Sequence, residues 1–124
     1  MKRLIAAGIL FIFVISSYII GYSYIKTTCN KAYEILDECT EVYSAHEESE
    51  EIAKRLNDFW GEKEPYLSLF ANHAQIDQIE QAISSLLIYS NSKDSALFYE
   101  YSSTVNTLLH QMLEDNTPSM HSIF

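Results

Sequence analysis

The sequence predicts an all-α protein in which an N-terminal transmembrane helix leads into a small antiparallel bundle of three or four helices. The 22 residues from Leu4 to Ile25 contain no charged side chain. From Lys26 onward, apolar residues recur at intervals of three and four, which is the period of a helix rather than the alternation of a strand. Glycine and proline are scarce in that part, so few positions interrupt a helix.

The first element is the apolar run itself. At 1.5 Å per residue, Leu4 to Ile25 spans about 33 Å as a helix, which matches a hydrocarbon core of about 30 Å. Lys2, Arg3 and the terminal amine stand directly before the run. We therefore expect a single-pass protein of the cell membrane with its N-terminus in the cytoplasm and the rest of the chain outside.

This reading divides the chain into three parts. Residues 1–25 form a cytoplasmic stub and membrane anchor, residues 26–116 an acidic helical extracytoplasmic domain, and residues 117–124 a C-terminal tail. The alternative is a cleaved signal peptide, which would leave a secreted helical protein. The apolar run exceeds the about 7–15 residues of a signal peptide, so an uncleaved anchor is favoured.

The first helix of the outer domain continues from the anchor without a breaker, which predicts one rod. Its apolar residues form a stripe at helical spacing that we call the partner seam, since it offers a surface to another helix. The partner seam consists of Tyr18, Tyr22, Cys29, Ala32, Leu36, Cys39 and Tyr43.

Three further helices follow from turn signals and apolar spacing. Ser44 and Glu47 fit a capping box, so a turn is expected near residues 44–48 and a second helix from there to about Glu62. Pro65 is predicted to open the third helix, because proline is well tolerated in a first helical turn. Residues 89–95 have loop chemistry, and Ser92 or Asp94 can cap a fourth helix. The predicted inner face of the third helix is Leu69, Phe70, His73, Ile76, Ile79, Ile83, Leu86 and Leu87.

Charge and composition exclude several function classes. From Lys26 onward the chain holds six basic and 17 acidic side chains, a net charge of -11. Such a surface repels phosphate backbones, so we expect no nucleic-acid partner. With three glycines in the whole chain, no glycine-rich phosphate loop is present in the sequence.

The histidines and acidic residues do not fit a catalytic or metal-binding motif. His46 lacks the second histidine of a zinc protease, and no histidine stands three residues after a glutamate, as di-iron bundles require. The acidic run from Glu47 to Glu51 lacks the glycine turn of a calcium loop and is better explained as a solvated helix start. We predict no catalytic residue, cofactor or metal, and a structural role for His73 as a partly buried polar residue of the core rather than a ligand or an acid-base group.

Cys29 and Cys39 cannot pair with each other. Ten residues along one helix separate their α-carbons by about 15 Å, whereas a disulfide tolerates no more than about 7 Å. Two alternatives remain at this point. The cysteines are buried thiols, which is the favoured reading, or each forms a disulfide with the same residue of a second copy.

Trp60 and the segment after it resemble a known family. The segment reads LSLFANHAQIDQIEQAI, with His73, Ile76 and Ile79 in the places expected for that family, and the chain ends on Ser122-Ile123-Phe124, where the family tends to have Asn-Ile-Phe. The chain resembles, over nearly its whole length, an uncharacterised Firmicutes (clostridial) family of short single-span membrane-anchored helical proteins, a domain of unknown function. The resemblance implies helical architecture and membrane attachment, and it brings no established activity.

The function predicted from these observations is that of a non-enzymatic interaction or structural module on the outer membrane face. Its partners would be the lipid bilayer and either another membrane protein or a second copy of the chain, docked on the partner seam. The alternative is an acidic extracytoplasmic domain that binds a cationic or cell-wall ligand. An enzyme is the least favoured class, because no nucleophile–base or paired-carboxylate motif stands out.

Overall fold

The computed structural model describes residues 1–116 of the chain as four α-helices. They are α1 (Lys2–Ser44), α2 (Glu50–Leu67), α3 (His73–Ser90) and α4 (Ser95–Asn116), and no strand occurs among these residues. The all-α fold class is confirmed. The predicted tail, 117–124, lies outside the described residues.

The four helices form an antiparallel bundle in which α2 packs on α1, α3 on α2, α4 on α3, and α4 again on α1. Contacts between helix ends fix the alternating direction. Tyr43 at the end of α1 stacks on Phe98 at the start of α4, with ring centroids 3.7 Å apart. Gln75 at the start of α3 donates a hydrogen bond to Asp115 at the end of α4. The predicted bundle is therefore confirmed, and it contains α1 as one of its four helices.

The single helix α1 has two parts with different surroundings. Residues 2–20, which we call the stalk, project from the bundle with every side chain exposed. Residues 21–44 belong to the bundle and contribute its first buried stripe. The prediction that anchor and first outer helix form one continuous rod is confirmed.

The core is built from apolar stripes of all four helices. The largest fully buried side chains include Trp60 on α2, Ile83 on α3 and Phe98 on α4. The buried residues of α3 are spaced by three and four, as the sequence pattern indicated. The core residues are Ile25, Cys29, Ala32, Ile35, Leu36, Cys39, Ala53, Leu56, Trp60, Leu67, Ile76, Ile79, Ala82, Ile83, Leu86, Phe98, Val105, Leu109 and Met112.

The predicted boundary between the second and third helices is wrong. Helix α2 runs through Pro65 and ends at Leu67. Pro65 removes only the one amide that would bond the carbonyl of Gly61, and the helix recovers at once, since the amide of Ser68 bonds the carbonyl of Glu64 at 2.9 Å. Burial of Leu67 stabilises this last turn. Helix α3 instead begins after Asn72, whose side chain accepts a hydrogen bond from the amide of Ala74 at 2.7 Å.

The other two connections are close to the prediction. The turn between α1 and α2 occupies residues 45–49, although the predicted cap Ser44 is still part of α1. Ser49 precedes α2, and its hydroxyl donates to the carbonyl of Ser90 at 3.1 Å instead of capping the helix. Between α3 and α4, Asp94 accepts a hydrogen bond from the amide of Leu97 at 3.2 Å, so it caps α4 as predicted.

Candidate functional site

The most distinctive region of the bundle is the end from which the stalk leaves, which we call the base. It is formed by the part of α1 around Gly21 to Ile25 and by the turn between α2 and α3, residues 68–72. The C-terminal end of α4 also reaches it, since Asn116 shares a small cavity with Gly21 and Phe70.

Aromatic side chains join the two elements of the base. The ring of Tyr24 on α1 lies 6.2 Å from that of Tyr66 and 6.3 Å from that of Phe70, measured between centroids. These are ordinary separations for tilted aromatic pairs. The turn is thus held against α1 at the level where the stalk meets the bundle.

Gly21 allows this close approach. A Cβ atom added to Gly21 would lie 2.6 Å from Cδ1 of Phe70, closer than two carbons can sit without movement of the ring. Gly61 in α2 has no such neighbour within 4 Å. The absence of a side chain at residue 21 therefore lets the Phe70 ring approach the helix closely.

The turn is fixed from both sides by local hydrogen bonds. The hydroxyl of Ser68 donates to the carbonyl of Pro65 at 2.7 Å, and Asn72 caps α3. Below the turn, the indole N–H of Trp60 donates to the carbonyl of Ile76 at 3.3 Å and ties α2 to α3. The conformation that exposes Leu69 beside Phe70 is therefore well determined by its surroundings.

A carboxylate near the base is electrostatically unusual. Partial burial, the negative charge of Glu80, a hydrogen bond with Glu80 and the charge of Asp77 together raise the pKa of Glu64 to about 7. One oxygen of Glu64, Oε1, is buried and has no hydrogen-bond partner among the described residues. Part of the Glu64 population is therefore protonated near neutral pH.

A shallow groove of about 530 Å³ runs between α1 and α2. Arg55 donates to Glu38 across it, and the apolar floor is formed by Ile35 and Phe59. Acidic residues outnumber basic ones on its walls. The remaining lining residues are Lys31, Glu34, Asp58 and Glu62.

The opposite end of the bundle, which we call the distal end, is polar. The turn between α1 and α2 exposes Glu47 and Glu48, and a cavity of about 660 Å³ lies between this turn and Ser92 and Lys93 of the next connection. His46 has a φ of 60°, a left-handed conformation that a non-glycine residue adopts in tight turns. Exposed acidic side chains thus line the end of the bundle that is farthest from the stalk.

The structure corrects the interpretation of the partner seam. Cys29, Ala32, Leu36 and Cys39 are buried in the bundle, and Tyr43 stacks on Phe98. A partner cannot reach these residues while the bundle is folded, because the helices of the chain itself cover them. Of the seam, Tyr18 is exposed and Tyr22 is partly exposed.

The predicted role of His73 is also wrong. His73 is the exposed first residue of α3, whereas the prediction placed it on the inner face of a helix starting at Pro65. The same shift of boundary moves Leu69 and Phe70 from a helix face to the turn. The buried stripe of α3 begins at Ile76 instead.

The cysteines are buried thiols. Cys29 and Cys39 are both free and buried, and burial raises the pKa of Cys29 to about 12 and that of Cys39 to about 11. Burial of both residues in the folded bundle favours the buried-thiol reading, and a disulfide to a second copy stays an untested alternative. Among residues 1–116, no group of three or more His, Cys, Asp or Glu side chains is placed to hold a metal ion.

The turn at the base is not among the predicted elements, although the sequence contains a signal for it. Residues 65–72 read PYLSLFAN and contain no charged side chain, in a domain where nearly a quarter of the residues are charged. The sequence pattern predicts their apolar residues on the inner face of the third helix, because proline is well tolerated at a helix start. Gly21 carried no sign that an aromatic ring packs on it, since that contact joins residues distant in the sequence.

These observations define a class: a four-helix bundle carried by a helix that is long and apolar enough to cross a membrane. The chain belongs to the family described as Domain of unknown function (DUF4363), whose sequence model matches residues 19–123. The match covers the bundle and begins where the stalk ends. Comparison with curated proteins gives no match, and comparison with solved structures gives none.

Proposed function

We propose that this chain is a non-enzymatic interaction module, anchored in the cell membrane by the stalk and holding its acidic bundle on the outer face. The bundle would dock on another membrane protein or on a second copy of the chain. The observation that carries the proposal is the continuity of α1, in which one helix is fully exposed and apolar over the stalk and then provides a core stripe of the bundle.

The exposure of the stalk supports the membrane anchor. In the most apolar 18-residue window of α1, only 6% of the residues are buried in the protein. A core helix of a bundle would have its apolar residues covered by other helices, whereas these have no protein neighbours. A lipid bilayer removes the apolar side chains of such a helix from water on all sides.

The orientation in this proposal rests on Lys2, Arg3 and the terminal amine, which stand directly before the span as in a signal sequence. The count of basic residues does not decide it, because Lys26 and Lys31 follow the span. The proposal also includes an origin in clostridia or related Firmicutes, to whose anchored proteins the chain is similar. In such cells a bundle on the outer face of the membrane would lie next to the cell wall.

The docking surface in this proposal is the outer face of α1 and α2, in place of the buried partner seam. The groove between these helices combines an apolar floor at Ile35 and Phe59 with charged walls, the mixture typical of transient protein interfaces. A photo-crosslinking residue at Glu34 in intact cells should yield an adduct with one membrane protein or a dimer. The matched control is the same residue at Ser103, an exposed position on α4.

The topology is tested by protease added to intact protoplasts. We expect the C-terminal part to be digested and an epitope placed before Lys2 to be protected. Digestion of the N-terminal epitope with protection of the bundle would reverse the orientation. Release of the bundle into the medium would support the alternative of a secreted protein.

A second candidate is a cationic or cell-wall ligand bound by the acidic surface. The exposed glutamates of the distal end favour it, because residues 21–44 place that end about 36 Å above the base. Binding of this kind should weaken with added salt and with charge reversal at Glu47. Docking on the groove should instead respond to charge reversal at Asp58.

A further inference from the structure

We infer that the base of the bundle is itself a membrane-binding surface, with the turn between α2 and α3 embedded in the headgroup layer beside the stalk. This inference rests on the proposed membrane anchor and extends it. The partner is the lipid bilayer that holds the stalk, and the contact is made by Tyr66, Leu69 and Phe70.

The length of the stalk brings the bundle down to the lipid. The apolar, fully exposed part of α1 runs from Leu4 to Ile20, which is about 26 Å of helix. The hydrocarbon core is about 30 Å thick. Gly21 is already buried in the bundle. Since the exposed part alone falls short of the core thickness, the next turn of α1 lies at the lipid boundary.

The turn between α2 and α3 lies at that same level. Phe70 packs on Gly21, and Tyr24 contacts both Tyr66 and Phe70. Because α1 is one uninterrupted helix, no linker separates the bundle from the membrane. The turn therefore has to meet the headgroups when the stalk crosses the bilayer with little tilt.

The surface of the turn suits that environment. Leu69 is 73% exposed, Tyr66 58% and Phe70 38%. Within the described part of the bundle, the only other exposed large apolar residues are Ile88 and Tyr99. Tyrosine is enriched at the membrane interface, and exposed apolar side chains such as Leu69 gain from burial at the boundary of headgroups and acyl chains. Residues 65–72 contain no charged side chain that would oppose this burial.

The test uses the full chain reconstituted in phosphatidylcholine vesicles, with an environment-sensitive fluorophore on one introduced cysteine. Leu69→Cys reports on the turn, and Ile88→Cys is the matched control, because Ile88 is 70% exposed but lies near the distal end of α3. Ile12→Cys reports on the stalk. Cys29 and Cys39 stay in place because both are buried, and the unsubstituted chain is the labelling control.

Lipids with a spin label near the headgroup should quench the fluorophore at residue 69 strongly and that at residue 88 little. A mid-chain spin label should quench the fluorophore at residue 12. Quenching at residue 12 with none at residue 69 would overturn this inference and leave the anchor intact. Absence of quenching at residue 12 would overturn the anchor and this inference together.

A third outcome separates lipid from protein as the partner of the turn. A fluorophore at residue 69 whose emission shifts to the blue without quenching by spin-labelled lipid would be covered by protein, either a second copy or residues 117–124. That result would also overturn the inference. Strong quenching at residue 88 as well would show a bundle lying flat on the membrane, which contradicts an upright bundle resting on its base.

Discussion

The two halves of α1 differ in the number and arrangement of their apolar residues and in their surroundings, since 14 of the 19 residues in the stalk but 11 of the 24 residues in 21–44 are apolar. In the stalk, apolar side chains point in every direction and none is covered by protein. In residues 21–44, apolar side chains form one stripe, and that stripe is buried in the bundle. Polar and charged residues such as Lys31, Glu34 and Asp37 occupy the other face.

The difference shows that the arrangement of apolar residues around a helix, together with their number, indicates its surroundings. A helix that is apolar all round needs an apolar environment on all sides, whereas a stripe needs only neighbouring helices. The transition within one helix falls near Gly21. The sequence predicts most of the stripe in residues 21–44 as a partner seam, because it does not tell which helices cover a stripe.

The largest expected effect concerns the buried and the exposed face of residues 21–44 in α1. Burial raises the pKa of Cys29 from 9.0 to about 12, so the thiolate fraction falls about a thousandfold below that of an ordinary cysteine. We expect a water-soluble thiol reagent to leave Cys29 and Cys39 unmodified in the folded chain and to modify both in denaturant.

The control for this experiment is Thr27→Cys, on the exposed face of the same helix. Its thiol should react quickly under native conditions. Non-reducing electrophoresis of the unsubstituted chain should show no reducible dimer. Rapid native reaction of Cys29 would contradict the assignment of this stripe to the core.

The second prediction compares one substitution in both halves. Leu36 is 2% exposed and Leu10 is 63% exposed. Leu36→Ala should lower the free energy of unfolding by about 2–5 kcal/mol, since it removes buried methyl groups and leaves a cavity. Leu10→Ala should leave the unfolding of the bundle unchanged. Thermal unfolding followed by circular dichroism in detergent measures both, and equal losses would break the distinction between the halves.

The third prediction concerns the boundary between the halves. Alanine in place of an exposed helical glycine stabilises by up to about 1 kcal/mol, and Gly61→Ala should do so because nothing lies near its added Cβ. Gly21→Ala should give no such gain or should lower the free energy of unfolding, because the Phe70 ring must move away from the added Cβ. Matched unfolding curves test the difference, and an equal gain at both positions would contradict the packing of Phe70 on α1.

The smallest expected effect is a pH dependence inside the bundle. The pKa of Glu64 is raised from 4.5 to about 7, so between these values the folded state binds more protons than the unfolded state. The free energy of unfolding therefore falls as pH rises through this window. Glu64→Gln should remove this loss and stabilise the chain at pH 8 by less than about 1 kcal/mol, since the side chain keeps some contact with water.

The measurement is the difference in melting temperature between the chain and Glu64→Gln at pH 4 and pH 8. The two should differ little at pH 4, where most of Glu64 is protonated in both the folded and the unfolded state. Glu62→Gln, at an exposed position of the same helix, is the control and should show no such divergence. A larger gain at pH 4 than at pH 8 would contradict the assigned cause.

Periodicity and composition predicted most of the fold. The 3–4 spacing predicts Ile79, Ile83 and Leu86 on the inner face of the third helix, and all three are buried. The continuity of α1 followed from the lack of a breaker. The predicted start of α3 at Pro65 is wrong, because Pro65 lies inside α2. Burial of Leu67 stabilises the last turn of α2 beyond the proline.

The base could not be predicted from the sequence to the same extent. Its geometry depends on the contact between Gly21 and Phe70, which are 49 positions apart, and local patterns do not report such pairs. His73 was placed in the core for the related reason that its apparent stripe was continuous with Leu69 and Phe70. The uncharged segment 65–72 is the one local signal that indicates the turn.

The most direct test of the account is the intact mass of the chain recovered from alkali-washed membranes. We expect the stalk to be retained and to cross the lipid, while residues 21–44 of α1 are packed in the bundle. The recovered chain should then be membrane-bound and have the full 14.3 kDa. A shorter chain that lacks the stalk and is found free of the membrane would contradict this.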